Sequence, residues 1–299
     1  MNEMYIHEKY IEENLIEEAF KKAIEMADVN VEMKKNKEEP SKNIRIIYPC
    51  YSDKTKRISE QEIKQLFIQT LIEDQKLNED SEKDFYFSVE TPTEFKYKFS
   101  NSDGPRVYNE KTDRNNIRRF KSARFDLCMH QIEQKKFIRK HLLEFKATNQ
   151  ETNFQTDFLK LFIEKIEEKK SCNYFIHILD SADTGTLKEA ENKNEKSVIQ
   201  KYYESWKYCI EYYDKSLKYF IDREEFNAII IYLLIIHNKT ERKTSNDPAP
   251  SGYYKIVLGP TLPESPNDLQ AVQAGKFRIY DLQEGKFLKP ENDSFSGPV

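Results

Sequence analysis

Three charged residues sit where charge is expensive. Asp126 lies inside the apolar run 122–129 (SARFDLCM), between Phe125 and Leu127, and Glu144 and Lys146 lie inside a second run, 140–147 (KHLLEFKA). A charge among apolar neighbours costs free energy unless it has a partner or faces a cleft. Both runs read as β-strands, and strand alternation puts Glu144 and Lys146 on one face with Phe145 on the other. Antiparallel pairing around a turn near residue 135 brings Asp126 beside Glu144. Two carboxylates with an ammonium next to them make an oxygen-rich site for a hard divalent cation. Such an ion can polarise a phosphoryl oxygen and lower the pKa of a water. The triplet alone says nothing, because Glu-x-Lys occurs ten times in this chain. Context separates Glu144/Lys146 from the rest: apolar flanks, an upstream strand carrying an Asp, and a helix then a strand downstream. Glu94/Lys96 is the one competing strand position, and no Asp-bearing strand precedes it. The bland alternative is a surface hairpin with cross-strand ion pairs.

The elements around these residues follow from periodicity. Ser59 starts a helix over 59–77, with Ile63, Leu66, Phe67, Thr70 and Leu71 on one face. Two alternating segments follow, 85–91 and 94–99, divided by Pro92; then comes the pair 122–129 and 140–147, read as a long-looped hairpin. A helix over 152–170 carries Phe154, Phe158, Leu161, Phe162 and Ile166 as a buried stripe, and 173–180 (NYFIHILD) is a doubly buried strand.

With these pieces in order, the chain resembles the PD-(D/E)XK nuclease superfamily over roughly residues 59–181. The resemblance rests on Glu62 in the leading helix, on Asp126, on Glu144-Phe145-Lys146, and on the helix and strand after them. It implies an α/β fold with a restriction-endonuclease-like core, α-β-β-β-α-β, whose mixed central sheet is flanked by helices. It implies that Asp126, Glu144 and the Phe145 carbonyl ligate Mg2+ (or Mn2+), and that Lys146 positions and activates the attacking water. Glu62 would be a third acid, although Ser59…Glu62 also reads as a capping box. Glu90 is a weaker candidate, for an outer-sphere metal contact. Two departures leave the branch unassigned: Phe125 stands where the motif has proline, and neither Gln150 nor Gln155 is followed four residues on by tyrosine.

Charge distribution points to the same substrate. Between Lys111 and Lys146 there are eleven basic and four acidic residues, a local +7, which leaves −11 for the remainder of a chain whose net charge is −4. Arg118, Arg119, Lys121 and Arg124 lead into the Asp126 strand, and Lys135 and Lys136 lie on the other arm. With Gln155 they form the expected nucleic-acid contacts, DNA being favoured over RNA. The reading is a Mg2+-dependent nuclease, of a kind used in restriction and phage defence, with a homodimer or a partner subunit setting specificity. The alternative is a catalytically inactive module on the same fold that binds nucleic acid or protein.

Composition excludes other classes. Glycine numbers 7 in 299 residues, against a usual ~7%, with no phosphate-cradling or nucleophile-elbow motif. Cys50, Cys128, Cys172 and Cys209 are too scattered for a zinc site or a disulfide framework. The N-terminus has no apolar signal segment, and the longest apolar run, 226–236, is too short to span a bilayer and reads as a buried strand or core helix. The expectation is a cytoplasmic protein with no membrane partner. Domain organisation reads as an acidic amphipathic N-terminal helix and linker (1–42), a core with a further helix near 195–220 (43–240), and a Pro- and Gly-rich extension with short strands (241–299). In the 195–220 helix, Tyr203, Tyr208, Tyr212 and Tyr219 are surplus to the core stripe and free to face substrate or a partner.

Overall fold

The computed structural model describes residues 15–25, 48, 59–77, 85–99, 104–147, 151–164, 172–180, 198–218, 227–236, 252–258, 280–281 and 286–287. The strands are β1 (Tyr86–Lys98), β2 (Arg106–Val107), β3 (Lys121–Glu133), β4 (Lys136–Lys146), β5 (Cys172–Asp180), β6 (Ala228–Ile236), β7 (Gly252–Leu258), β8 (Tyr280–Asp281) and β9 (Lys286–Phe287). Among the described residues they form one mixed sheet of nine strands in the order β2-β1-β3-β4-β5-β6-β7-β8-β9. Only β4, β5 and β6 run parallel to one another; the other pairings are antiparallel.

Helices cover both faces. Helix α1 (17–25) and α2 (Glu60–Leu77) lie on one side, where Phe20, Leu66, Phe67 and Leu71 share a core with Leu127, Leu143, Phe145 and Tyr232. The N-terminal amphipathic segment, where described, thus packs its apolar face on the sheet. Helix α3 (Glu151–Ile163) and α4 (Val198–Tyr212) lie on the other, with Phe154, Phe158, Tyr202 and Trp206 against Leu142, Phe175 and Leu233. Both crossovers, β4-α3-β5 and β5-α4-β6, step the same way along the sheet, so a common handedness puts their helices on one face. Covered on both sides, β6 buries every residue from Ile229 to Ile236, which is why its sequence is a continuous apolar run. The apolar run is therefore a strand over Ala228–Ile236. Among the described residues no helix is long and apolar enough to cross a membrane.

The order α2, β1, β3, β4, α3, β5 is the expected one, with the two-residue β2 inserted. Two details differ. Pro92 does not divide two strands: β1 passes through it, with an irregularity between Pro92 and Lys96. β2 pairs only Tyr97 and Lys98, so among the described residues no strand pairs the outer edge of β1 at Pro92, where a missing N–H is tolerated. Nor is the β3–β4 hairpin long-looped. Its turn is Gln134-Lys135, both at positive φ (47° and 66°), the two-residue geometry that matches strand twist. Part of 241–299 extends the core sheet, since β7 pairs with β6 over seven positions. The expectations for 1–14, for 43–51 apart from Tyr48, for 165–170 and for most of 241–299 lie outside the described residues.

Two surplus tyrosines have structural work. Tyr208 donates to the Pro105 carbonyl (3.0 Å), and the Tyr212 hydroxyl accepts from the Val107 N–H (3.0 Å). They hold the segment that leads to the basic turn Arg114–Arg119. Gly104 sits there at φ 70° beneath Tyr208, where a Cβ would meet its hydroxyl oxygen at 2.3 Å.

Candidate active site

The β3–β4 ladder places the acids. Its last pair is Leu127↔Leu143, so Asp126 and Glu144 stand opposite each other just beyond, where the strands part. Asp126 bridges the gap: its Oδ2 accepts from the Phe145 N–H at 2.9 Å. Its Oδ1 lies 3.2 Å from Nζ of Lys64, a buried lysine on α2. The side chain of Phe145 goes the other way, edge-on to Phe67. Glu90 flanks this end from β1. It lies 3.8 Å from Lys64 and 3.6 Å from Arg124, and its φ of 51° is a sparsely populated backbone state for a non-glycine residue.

Glu144 and Lys146 share the face that α3 covers. Glu144 is 3% exposed and bonds Lys160, which also reaches Asp157 Oδ1 at 3.1 Å and the Arg124 carbonyl at 3.0 Å. Lys146 Nζ lies 3.0 Å from Asp157 Oδ2. That oxygen takes no aligned hydrogen bond, so Lys146 holds it as a charge contact. Burial drives the Glu144 pKa well above the usual carboxylate range; the Lys160 ammonium opposes this, and Asp157 and Asp126 add to it. The Lys146 pKa moves up as well: burial is the largest single influence and works downward, but Asp157, Glu144 and Glu60 together outweigh it. For Lys160, burial is again overcome, by Glu144 and Asp157, and the ammonium is held strongly charged. Three carboxylates are thus matched by three ammoniums: half-buried Asp126 by Lys64, and buried Glu144 and Asp157 by Lys160 and the half-buried Lys146.

The register sets Asp126 opposite Glu144, and the Phe145 N–H ties Asp126 to the strand that carries Glu144 and Lys146; Asp126 pairs with Lys64, Glu144 with Lys160 and Lys146 with Asp157. Glu62 does not join them. Its carboxylate accepts from the Ser59 hydroxyl at the start of α2, a local bond within the helix N-terminus. Its neighbour Glu60 points inward instead and accepts from the Ala147 N–H at 2.9 Å. Arg118, Arg119, Lys121 and Arg124 are exposed on the approach to the Asp126 end. Lys135 and Lys136, at the hairpin tip, are eight or nine residues along the strands, roughly 25–30 Å from the acids. Gln155 is half-buried on α3, and its carbonyl faces the Cys209 thiol. Burial pushes Cys128 up to about 12, so that thiol is not poised as a nucleophile.

Sequence reading missed Lys64, Glu60, Asp157 and Lys160. A signal existed for two of them. Asp157 and Lys160 stand in the apolar stretch Phe154–Ile163, an acid and a base three residues apart on a helix buried all round from 157 to 164. The argument that singled out Asp126 applies to them equally.

No protein-family model matches the chain, and neither a curated protein nor a solved structure shows similarity to it. The donors are of the kind a hard cation takes, carboxylate and carbonyl oxygens. They fit Mg2+ by chemistry. Among the described residues, however, no three acidic, His or Cys side chains converge as a ready cage.

Proposed function

We propose that the protein is a Mg2+-dependent nuclease, on a restriction-endonuclease-like core, that hydrolyses phosphodiester bonds of nucleic acid, DNA ahead of RNA. One observation carries the reading: Asp126 stands opposite Glu144 where β3 and β4 part, tied by the Phe145 N–H to the strand that also carries Lys146, with exposed Arg118, Arg119, Lys121 and Arg124 in the segment that leads to Asp126. Asp126 and Glu144 would hold the ion, with the Phe145 carbonyl as a further ligand. When bound, Mg2+ polarises the phosphoryl group and acidifies a nearby water. Lys146 keeps its proton, because its pKa is raised. It therefore serves as a fixed cation opposite developing negative charge and orients water by donating to it, rather than as a general base. Asp157 pins that ammonium, and Lys64 pins Asp126. The exposed arginines on the segment leading to Asp126 would meet the phosphate backbone. Lys135 and Lys136 would meet the duplex about eight base pairs away, at ~3.4 Å per pair along each strand. Restriction or phage defence is a setting that suits such a chemistry.

The second reading is a non-catalytic nucleic-acid-binding module on the same fold. The specific observation in its favour is that the three acids are already matched by three buried or half-buried ammoniums. Incubation with plasmid DNA and with a structured RNA, in Mg2+ or in EDTA, separates the two. Mg2+-dependent cleavage is expected, DNA first. Binding without cleavage of either substrate establishes the module instead.

A further inference from the structure

The surroundings of Lys160 have the composition of a cation site. An ammonium has three N–H donors, and Nζ of Lys160 has three oxygens: Glu144 Oε1, Asp157 Oδ1 at 3.1 Å and the Arg124 carbonyl at 3.0 Å. Two carboxylates and a backbone carbonyl are also ligands that a hard divalent ion selects. The ring of Phe125 closes one side, its centroid 5.4 Å from Nζ. Lys160 and Asp157 are 5% and 4% exposed, so water does not screen the charges freely. The other Asp157 oxygen, Oδ2, faces the Lys146 ammonium at 3.0 Å, so both oxygens of this buried acid meet cations.

We propose that the Lys160 ammonium is a built-in cation occupying an oxygen cage formed by Glu144, Asp157 and the Arg124 carbonyl, and that a divalent ion gains Glu144 only by displacing it. The proposal rests on the reading of Glu144 as a metal ligand. An ammonium and a divalent ion cannot share one buried carboxylate oxygen without strong like-charge repulsion, because the local dielectric is low. Lys160 has somewhere to go. Displaced from Glu144, it keeps Asp157 and the Arg124 carbonyl, so loading the site shifts one hydrogen bond and does not expel a charge into solvent. The lysine is thus a positioning residue that sets how tightly the metal is held, and it keeps the acids neutralised until an ion arrives.

The test is Mn2+ binding to the full chain, with free Mn2+ followed by electron paramagnetic resonance, for wild type and Lys160→Met. Met is close in length and carries no charge, so the variant is expected to bind at least about tenfold more tightly, a shift of about 1.4 kcal/mol. Lys160→Arg keeps the cation and is expected to stay near wild type. Equal binding by wild type and Lys160→Met overturns the built-in cation while leaving the acid pair as a metal site. Weaker binding by Lys160→Met overturns it too, by making Lys160 a support for the metal. No binding by either folded protein overturns both this proposal and the metal-site reading. Circular dichroism checks the fold; if Met at 160 is not tolerated, Lys160→Gln, which keeps a donor for the Arg124 carbonyl, takes the same measurement.

Discussion

Replacing Asp157 by Asn isolates the charge that holds two lysines in place. Asp157 lies 3.0 Å from Lys146 and 3.1 Å from Lys160. Asn keeps the shape and one acceptor oxygen, so the change is electrostatic. Removing one partner of a buried ion pair costs about 3–5 kcal/mol. Lys160 keeps Glu144 and the Arg124 carbonyl, which moves its share to the lower end of that range. The Lys146 side chain is 21% exposed and can turn to water, so its share is discounted to ~1 kcal/mol or less. The sum is about 3 kcal/mol. At roughly 2–4 °C per kcal/mol for a chain of this size class, Tm falls by about 6–12 °C. Thermal unfolding followed by circular dichroism reads it, with urea unfolding as a check that the m-value is unchanged. A double-mutant cycle with Lys160→Met should show coupling of about 1 kcal/mol or more. A Tm within ~2 °C of wild type, or no coupling, refutes the claim that this acid organises the cluster.

Two further outcomes follow from geometry elsewhere. Gly104→Ala places a Cβ 2.3 Å from the Tyr208 hydroxyl at a φ of 70°; overpacking and left-handed strain together cost about 1–3 kcal/mol, read as a lower Tm. His130 is half-buried, and burial, aided by Arg139, holds its pKa below the ordinary value. On acidification the unfolded chain protonates first, near ~6.5, so His130 contributes stability that is present above that pH and lost as pH falls through the lower folded value. His130→Gln should flatten the decline of Tm below pH 6.5; a variant whose decline matches wild type contradicts this.

How much of this was legible in the chain depends on what kind of signal each residue carries. Asp126, Glu144 and Lys146 are readable because period-2 alternation fixes faces, and pairing then fixes neighbours. The position of the turn, near residue 135, was readable, but its tight two-residue form was not. Gln134-Lys135 adopts positive φ without the Gly, Asn or Asp that announces such a turn. Pro92 was read as a break because its edge position is a tertiary fact. Glu60 and Glu62 lie on one helical turn, and only packing decides that Glu62 bonds Ser59 while Glu60 reaches Ala147. Asp157 and Lys160 were hidden by a stripe of phenylalanines that explains the helix without them. The tyrosines of α4 looked surplus because their partners, the Pro105 carbonyl and the Val107 N–H, are backbone groups about 105 residues away in the chain.

The central claim is that the Asp126–Glu144–Lys146 cluster carries phosphodiester hydrolysis. Its most direct test is the DNA cleavage rate in Mg2+ of wild type against Lys146→Ala, both shown to be folded. Loss of a fixed cation opposite developing charge predicts a rate lower by about 100-fold or more. Cleavage at the wild-type rate in the variant contradicts it.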